Sequence, residues 1–158
     1  MILLEGMEIP AGMTGHDAGR LLLADLYRRC TGKALPQIAV TERGKPCFVS
    51  EALEFSISHT PRHVFCALSD RPVGIDAEEA DRPIRPELAK RILSQSEKAR
   101  YDEAADKNRA LLALWVLKEA SAKCTGEGLR GFPNGTDFSP DDPRVTLREG
   151  CLVAVVQG

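Results

Sequence analysis

The sequence predicts an α+β domain, and three observations carry the prediction. Leu53, Phe55 and Ile57 alternate with Glu54, Ser56 and Ser58, which is the period of a strand with one buried face. Lys107 to about Cys124 is the longest helical stretch and closes on glycine. The elements also arrive in blocks, a helix and strands followed by helices and strands, rather than in regular β-α alternation. With 158 residues, 43% hydrophobic and 28% charged, the chain is long enough for a real interior and a disordered chain is not expected. We expect two small pseudo-repeated α/β halves, approximately 1–70 and 71–158, packed together as one domain.

Residues 1–13 read as an opening strand and a loop punctuated by Pro10 and Gly12. Thr14-Gly15-His16-Asp17 reads as a helix start, with Leu22, Leu26 and Cys30 in helical period until Gly32. Gln37 to Thr41 and Cys47 to Val49 are strands flanking a turn at 42–46. Three short strands then follow, the one through Phe55, then Val64 to Leu68, then Pro72 to Glu78, and suggest an antiparallel meander. Residues 79–86 are charged and proline-containing, hence a loop and an alternative candidate for the boundary between halves. Pro86 to Leu93 is helical, Ser94-Gln95-Ser96-Glu97 is a capping box for a second helix, and Lys107 opens the third. Gly126 and Gly128 end that helix. Residues 131–143 are loop, and Val145 to Arg148 and Leu152 to Val156 form a hairpin around Glu149-Gly150.

The net charge of -2 argues against general nucleic-acid binding. No apolar run reaches membrane-spanning length, and Glu5 interrupts Met1-Ile2-Leu3-Leu4, so neither a membrane span nor a signal peptide is expected and the protein reads as cytoplasmic. Cysteines at 30, 47, 66, 124 and 151 form no C-x-x-C pair and read as reduced thiols filling apolar space. With histidines only at 16, 59 and 63, a zinc site has little support.

Two stretches hold the chemistry. In Val73-Gly74-Ile75-Asp76-Ala77-Glu78, Asp76 and Glu78 leave one face of a strand about 6 to 7 Å apart, a good spacing for one shared cation. Gly74 beside them marks a close approach of backbone or ligand. In the longest helix, Trp115, Glu119 and Lys123 fall at i, i+4 and i+8, so Glu119 points the same way as a large ring. A carboxylate on an inward stripe needs a partner, and the simplest is a hard divalent cation already held by Asp76 and Glu78. Each feature alone also has a plainer reading. An Asp-x-Glu is often a solvent-facing pair, Lys118, Glu119 and Lys123 can be ordinary helix-surface charges, Ser58-His59 can be structural, and Gly44-Lys45-Pro46 can be only a tight turn.

Their order in one chain changes the weighting. Gly44-Lys45-Pro46, Phe55-Ser56-Ile57-Ser58-His59-Thr60, Val73 to Glu78, Ser94-x-x-Glu97, and Trp115-x-x-Lys118-Glu119-Ala120-x-x-Lys123-x-x-Gly126-x-Gly128-Leu129 resemble the signature of the 4'-phosphopantetheinyl transferases. The similarity covers about 40–130 and is to the surfactin-synthetase-activating type rather than the small trimeric holo-acyl-carrier-protein synthases. The stretch from Trp115 to Leu129 is its most specific part.

The resemblance implies transfer of the 4'-phosphopantetheine arm of coenzyme A to a serine of an apo acyl or peptidyl carrier protein, releasing adenosine 3',5'-bisphosphate. It implies Asp76, Glu78 and Glu119 as ligands of magnesium, or manganese in its place. Lys45, Ser58 and His59 would contact the coenzyme A phosphates, with His59 and Lys45 nearest the 3'-phosphate, and Lys118 and Lys123 would lie near the pyrophosphate. Glu119, directly or through a water on the metal, would be the general base, with Lys123 and Asp76 beside it in catalysis. Such carriers are acidic as a class, and the stretch from Arg82 through Arg85, Lys90, Arg91, Lys98 and Arg100 supplies positive charge that reads equally as a surface steering the carrier or as a solvated helical face. Departures are a short half before Asp76, early basic residues (Arg20, Arg28, Arg29, Arg43) that match the family only as candidates, and small residues at 120–122. The chain would act as a monomer or homodimer. The rival readings are a non-catalytic coenzyme A or nucleotide-binding domain and a magnesium-dependent phosphoester hydrolase.

Overall fold

The computed structural model of the protein describes residues 1–127 and 136–158. The chain runs β1 (Ile2–Glu8), α1 (Gly15–Thr31), β2 (Ile38–Val40), β3 (Pro46–Phe48), β4 (Glu54–His59), β5 (His63–Ser69), β6 (Val73–Glu79), α2 (Leu88–Ile92), α3 (Gln95–Glu103), α4 (Lys107–Thr125), β7 (Val145–Arg148) and β8 (Cys151–Gln157). This is the α+β arrangement that the sequence predicts.

The helix ends follow the capping chemistry. The Thr14 side chain accepts the Asp17 N–H at the start of α1, and Gly32, at φ 73°, closes it in the left-handed region. Ser94 and Glu97 form a reciprocal capping box on α3. Asp106 caps α4, which Gly126 ends at φ 73°. Glu149 and Gly150 both take positive φ, 51° and 74°, as a two-residue hairpin between β7 and β8 requires. The predicted loop over 131–143 is described only from Thr136 onward, and Gly128 and Leu129 of the motif lie outside the described residues.

Two three-stranded antiparallel sheets, ordered β1-β5-β4 and β6-β8-β7, and a small β2-β3 ribbon make up the β structure. The expected meander ends at β5. β6 leaves the first sheet and pairs along its length with β8, Asp76 opposite Ala154, while β1 takes the other edge of β5. Local turn signals recognised the strands but not the partner supplied from the end of the chain.

Every residue of β5 is buried. Its Val64, Cys66 and Leu68 pack with Leu22, Leu23, Leu26 and Tyr27 of α1, and its Phe65 and Ala67 pack with Val73, Ile75, Ala77 and Val153 of the second sheet. On the far side, Ala154 of β8 packs with Val116, Leu117 and Ala120 of α4. The layers are therefore α1, first sheet, second sheet and α4. This order also corrects the reading of β4 as half-buried, because Ser56 and Ser58 are buried along with Phe55. Their hydroxyls accept the N–H groups of Ile75 and Ala77, each at 3.1 Å, so the polar face of β4 meets the edge of β6 rather than water. Among the described residues no helix is long and apolar enough to cross a membrane.

Candidate active site

The site begins where α4 crosses β6. A Cβ built on Gly74 would lie 1.9 Å from the Ala120 carbonyl oxygen and 2.4 Å from the Cys124 nitrogen, so only glycine lets the helix backbone come this near. Side chains alternate along a strand, which puts Asp76 and Glu78 on the Gly74 face, toward α4. Ile75 and Ala77 face the core between the sheets.

Asp76 is buried. Its Oδ1 accepts the Lys123 ammonium at 2.8 Å and the Ser58 hydroxyl at 3.2 Å, and Lys123 also donates to the Ile75 carbonyl at 3.0 Å. Burial raises the Asp76 carboxyl above its ordinary range against the opposing pull of Lys123. Glu78 is paired with Arg82 at 2.5 Å. The Glu119 carboxyl is pushed up to about 7, first by burial and then by the negative charge of Asp76, with Glu78 adding to it. Three carboxylates from β6 and α4 thus share one electrostatic neighbourhood, and an all-oxygen donor set of this kind suits a hard divalent cation. A cation held there competes with Lys123 for Asp76 and with Arg82 for Glu78.

Glu119 and Lys123 line a cavity of about 340 Å³ together with His16, Arg20, Arg43, Lys45, His59 and the apolar side chains of Phe55 and Ile57. Among the candidate basic residues, Arg20 and Arg43 are in its wall. Arg28 and Arg29 instead pair with Asp25 and Glu5 on the outer face of α1. The His59 ring packs on the first turn of α1 at Gly15, where an added Cβ would lie 2.4 Å from Nδ1. Lys45 reaches across the cavity wall, its ammonium donating to Glu54 at 3.2 Å and to the Cys124 carbonyl at 3.0 Å.

The structure brings Lys45, His59, Glu119 and Lys123 together around one cavity and places Asp76 behind Lys123. Two expected positions differ. Lys118 is fully buried, its ammonium 2.7 Å from the equally buried Glu97 and bonded to Thr136, because one residue before Glu119 lies about 100° around the helix, away from the cavity. Ser58 is also buried, with its hydroxyl directed to Asp76 and Ala77 rather than into the cavity. Among the described residues it is His63, Glu79 and Cys151, and not the expected trio of Asp76, Glu78 and Glu119, that bring three ligand-type atoms within 4.8 Å of one another. There Glu79 already receives Thr60, His63 and Arg62. Burial raises the Glu79 carboxyl, but these hydrogen bonds outweigh it and hold it at about 2.

Sequence reasoning did not assign Gly15, His16 or Ser56 to the site. A signal was present for His16 and Arg20, which are four residues apart in the first turns of a capped helix and so share a face. No local pattern pointed to Ser56, because its partner Ile75 comes from another sheet.

A sequence profile described as the 4'-phosphopantetheinyl transferase superfamily matches residues 72–151. The chain is 36% identical over 127 residues to the 4'-phosphopantetheinyl transferase Sfp of Bacillus subtilis, covering 72% of this chain and 55% of that protein. It is 36% identical over 143 residues to the 4'-phosphopantetheinyl transferase psf-1 of Bacillus pumilus, covering 84% and 61% respectively. A putative 4'-phosphopantetheinyl transferase of Haemophilus influenzae is 31% identical over 140 residues, with 82% and 59% covered. The matches thus span just over half of the length of these relatives.

Proposed function

The chain belongs to the 4'-phosphopantetheinyl transferase superfamily, and from that premise we propose that it moves the phosphopantetheine arm of coenzyme A onto a serine of an apo carrier protein. The observation that carries this reading is the single cavity in which the Glu119 carboxyl, raised to about 7, and the Lys123 ammonium share a wall with Arg20, Arg43, Lys45 and His59. A carboxyl held beside a cluster of basic side chains suits proton removal next to a polyanionic substrate.

In this reading the cations of the wall hold the coenzyme A phosphates, with His59 and Lys45 toward the 3'-phosphate and Lys123 toward the pyrophosphate. The carrier serine attacks the β-phosphorus as its proton passes to Glu119. The bond from the β-phosphorus to the bridging oxygen breaks, and adenosine 3',5'-bisphosphate leaves with that oxygen. Lys123 faces the charge that develops there. Asp76, Glu78 and Glu119 would hold magnesium, or manganese, which when bound supplies charge neutralisation to the pyrophosphate. Arg85, Lys90 and Arg91, exposed on the stretch between the two carboxylate motifs, would steer an acidic carrier protein. Residues 1–70 and 71–158 would act as two halves of one transferase domain.

Intact mass spectrometry of several apo carrier proteins incubated with the chain, coenzyme A and magnesium tests the reading. A gain of one phosphopantetheine that a chelator abolishes is the expected result. No gain with coenzyme A still bound would point to a binding domain. Cleavage of coenzyme A without a carrier would point to a phosphoester hydrolase.

A further inference from the structure

β4 and β6 are edge strands of different sheets, and serine side chains bridge them. The Ser56 hydroxyl accepts the N–H of Ile75 and the Ser58 hydroxyl accepts the N–H of Ala77, each at 3.1 Å. Two hydroxyls two residues apart on one face of β4 therefore match two N–H groups two residues apart on the edge of β6, the shared period of extended chain. Asp76 sits between those two N–H groups. The stitches are not equivalent, because Ser58 alone also gives its proton to Asp76, Oγ to Oδ1 3.2 Å. A serine hydroxyl has one proton, and here Asp76 takes it. Ser58 is also buried, with 4% of its surface exposed, and stands behind the carboxylate rather than in the cavity wall.

We propose that Ser58 is a positioning residue that acts through Asp76. It fixes the carboxylate on the side of β6 facing Glu119 and Lys123, and Ser56 supplies the same backbone stitch without touching the carboxylate. The inference rests on the reading of Asp76 as a cation ligand. It assigns Ser58 an effect on cation affinity where a phosphate contact would give an effect on coenzyme A affinity. Hydrogen-bond partners that orient a metal ligand typically change metal affinity by about 10- to 100-fold when removed.

The test is manganese(II) titration followed by electron paramagnetic resonance on the chain alone, paired with calorimetric titration of coenzyme A in chelator. Ser58→Ala is expected to weaken manganese binding by about tenfold or more while coenzyme A affinity in chelator holds. Ser58→Thr, which keeps the hydroxyl, should restore most of the loss. Ser56→Ala should lower the melting temperature while affecting manganese affinity far less than Ser58→Ala. If Ser58→Ala does not fold, Ser58→Cys, nearly the same size but a poor donor, bears the same expectation. Unchanged manganese affinity in Ser58→Ala, or in Ser58→Cys where that stands in for it, would overturn the proposal. So would a fall in metal-free coenzyme A affinity in place of the manganese loss, an equal manganese loss in Ser56→Ala, or a wild-type chain that binds no manganese. Chelator-sensitive carrier modification by the wild type with no manganese effect of Ser58 would reject the positioning role alone. Ser58-dependent manganese binding with no carrier modified would reject the transfer reading alone.

Discussion

The Lys118 ammonium stands 2.7 Å from the Glu97 carboxylate, and neither side chain has any exposed surface. Glu97 holds more than Lys118. Its two oxygens also accept the Ser94 N–H, the Thr136 hydroxyl and the Phe138 N–H, so the pair fastens the chain after α4 to the start of α3. Removing one partner leaves the other charge buried and uncompensated, which typically costs about 3–5 kcal/mol. Lys118→Ala should lose stability on that scale in urea titration. Lys118→Met combined with Glu97→Gln should recover much of it, because no isolated charge remains. A Lys118→Ala variant that folds normally and loses only coenzyme A affinity would return Lys118 to the substrate.

Glu119 predicts an opposition between stability and activity. Its carboxyl is raised from the ordinary 4.5 to about 7, burial first and the charge of Asp76 second. Between those values the folded chain holds a proton that the unfolded chain has released, so this group's contribution to stability is complete below about pH 4.5 and declines as pH rises toward 7. In chelator, Glu119→Gln should therefore melt higher than wild type at about pH 8, and the difference should close as the pH is lowered. Its carrier modification in excess magnesium should fall by orders of magnitude, and that of Asp76→Ala likewise. Near-normal transfer by either variant would remove that residue from the transfer chemistry, and a Glu119→Gln melting curve with no pH-dependent gain would show that Glu119 ionises in its ordinary range.

What could be read in the sequence follows from how far apart the partners lie. Thr14, Ser94 with Glu97, Gly126 and Glu149-Gly150 act within a few residues of themselves, and each marks the boundary it predicts. Asp76 with Glu78 and Glu119 with Lys123 were legible because strand and helix periods fix their faces. Lys118 shows the limit of that logic. A motif lysine next to Glu119 looked like part of the site, yet its helical phase points it at Glu97 from another helix. The pairing of β6 with β8 and the Ser56 and Ser58 stitches depend on contacts between distant segments, for which no local period exists.

The basic stretch before α4 gives a kinetic prediction. Arg91 is exposed, and Lys98 pairs with Asp102 one turn along its helix, at 2.7 Å, an exposed contact of little energetic weight. Reversing Arg91 and Lys98 to glutamate should leave the melting temperature nearly unchanged while raising the carrier KM at low salt, and added salt should shrink the difference. Carrier saturation curves that match wild type at low ionic strength would place docking elsewhere.

Gly74 provides the most direct link between packing and chemistry. An added Cβ would meet the Ala120 carbonyl oxygen at 1.9 Å and the Cys124 nitrogen at 2.4 Å, and these are backbone atoms of a helix that lies on the same sheet face against Ala154 of the neighbouring strand. Neither can turn aside as a side chain would, so Gly74→Ala must move α4 away from β6. Overpacking of this kind costs about 1–3 kcal/mol or more. The displacement falls on the helix that carries Glu119 and Lys123, and the Lys123 to Asp76 contact at 2.8 Å spans the gap that opens. Gly74→Ala should therefore lower both the denaturant midpoint and manganese affinity, and the loss of carrier modification should persist at temperatures where circular dichroism shows the variant folded. A folded Gly74→Ala variant with wild-type metal affinity and turnover would show that the spacing of α4 and β6 does not set the geometry of the site.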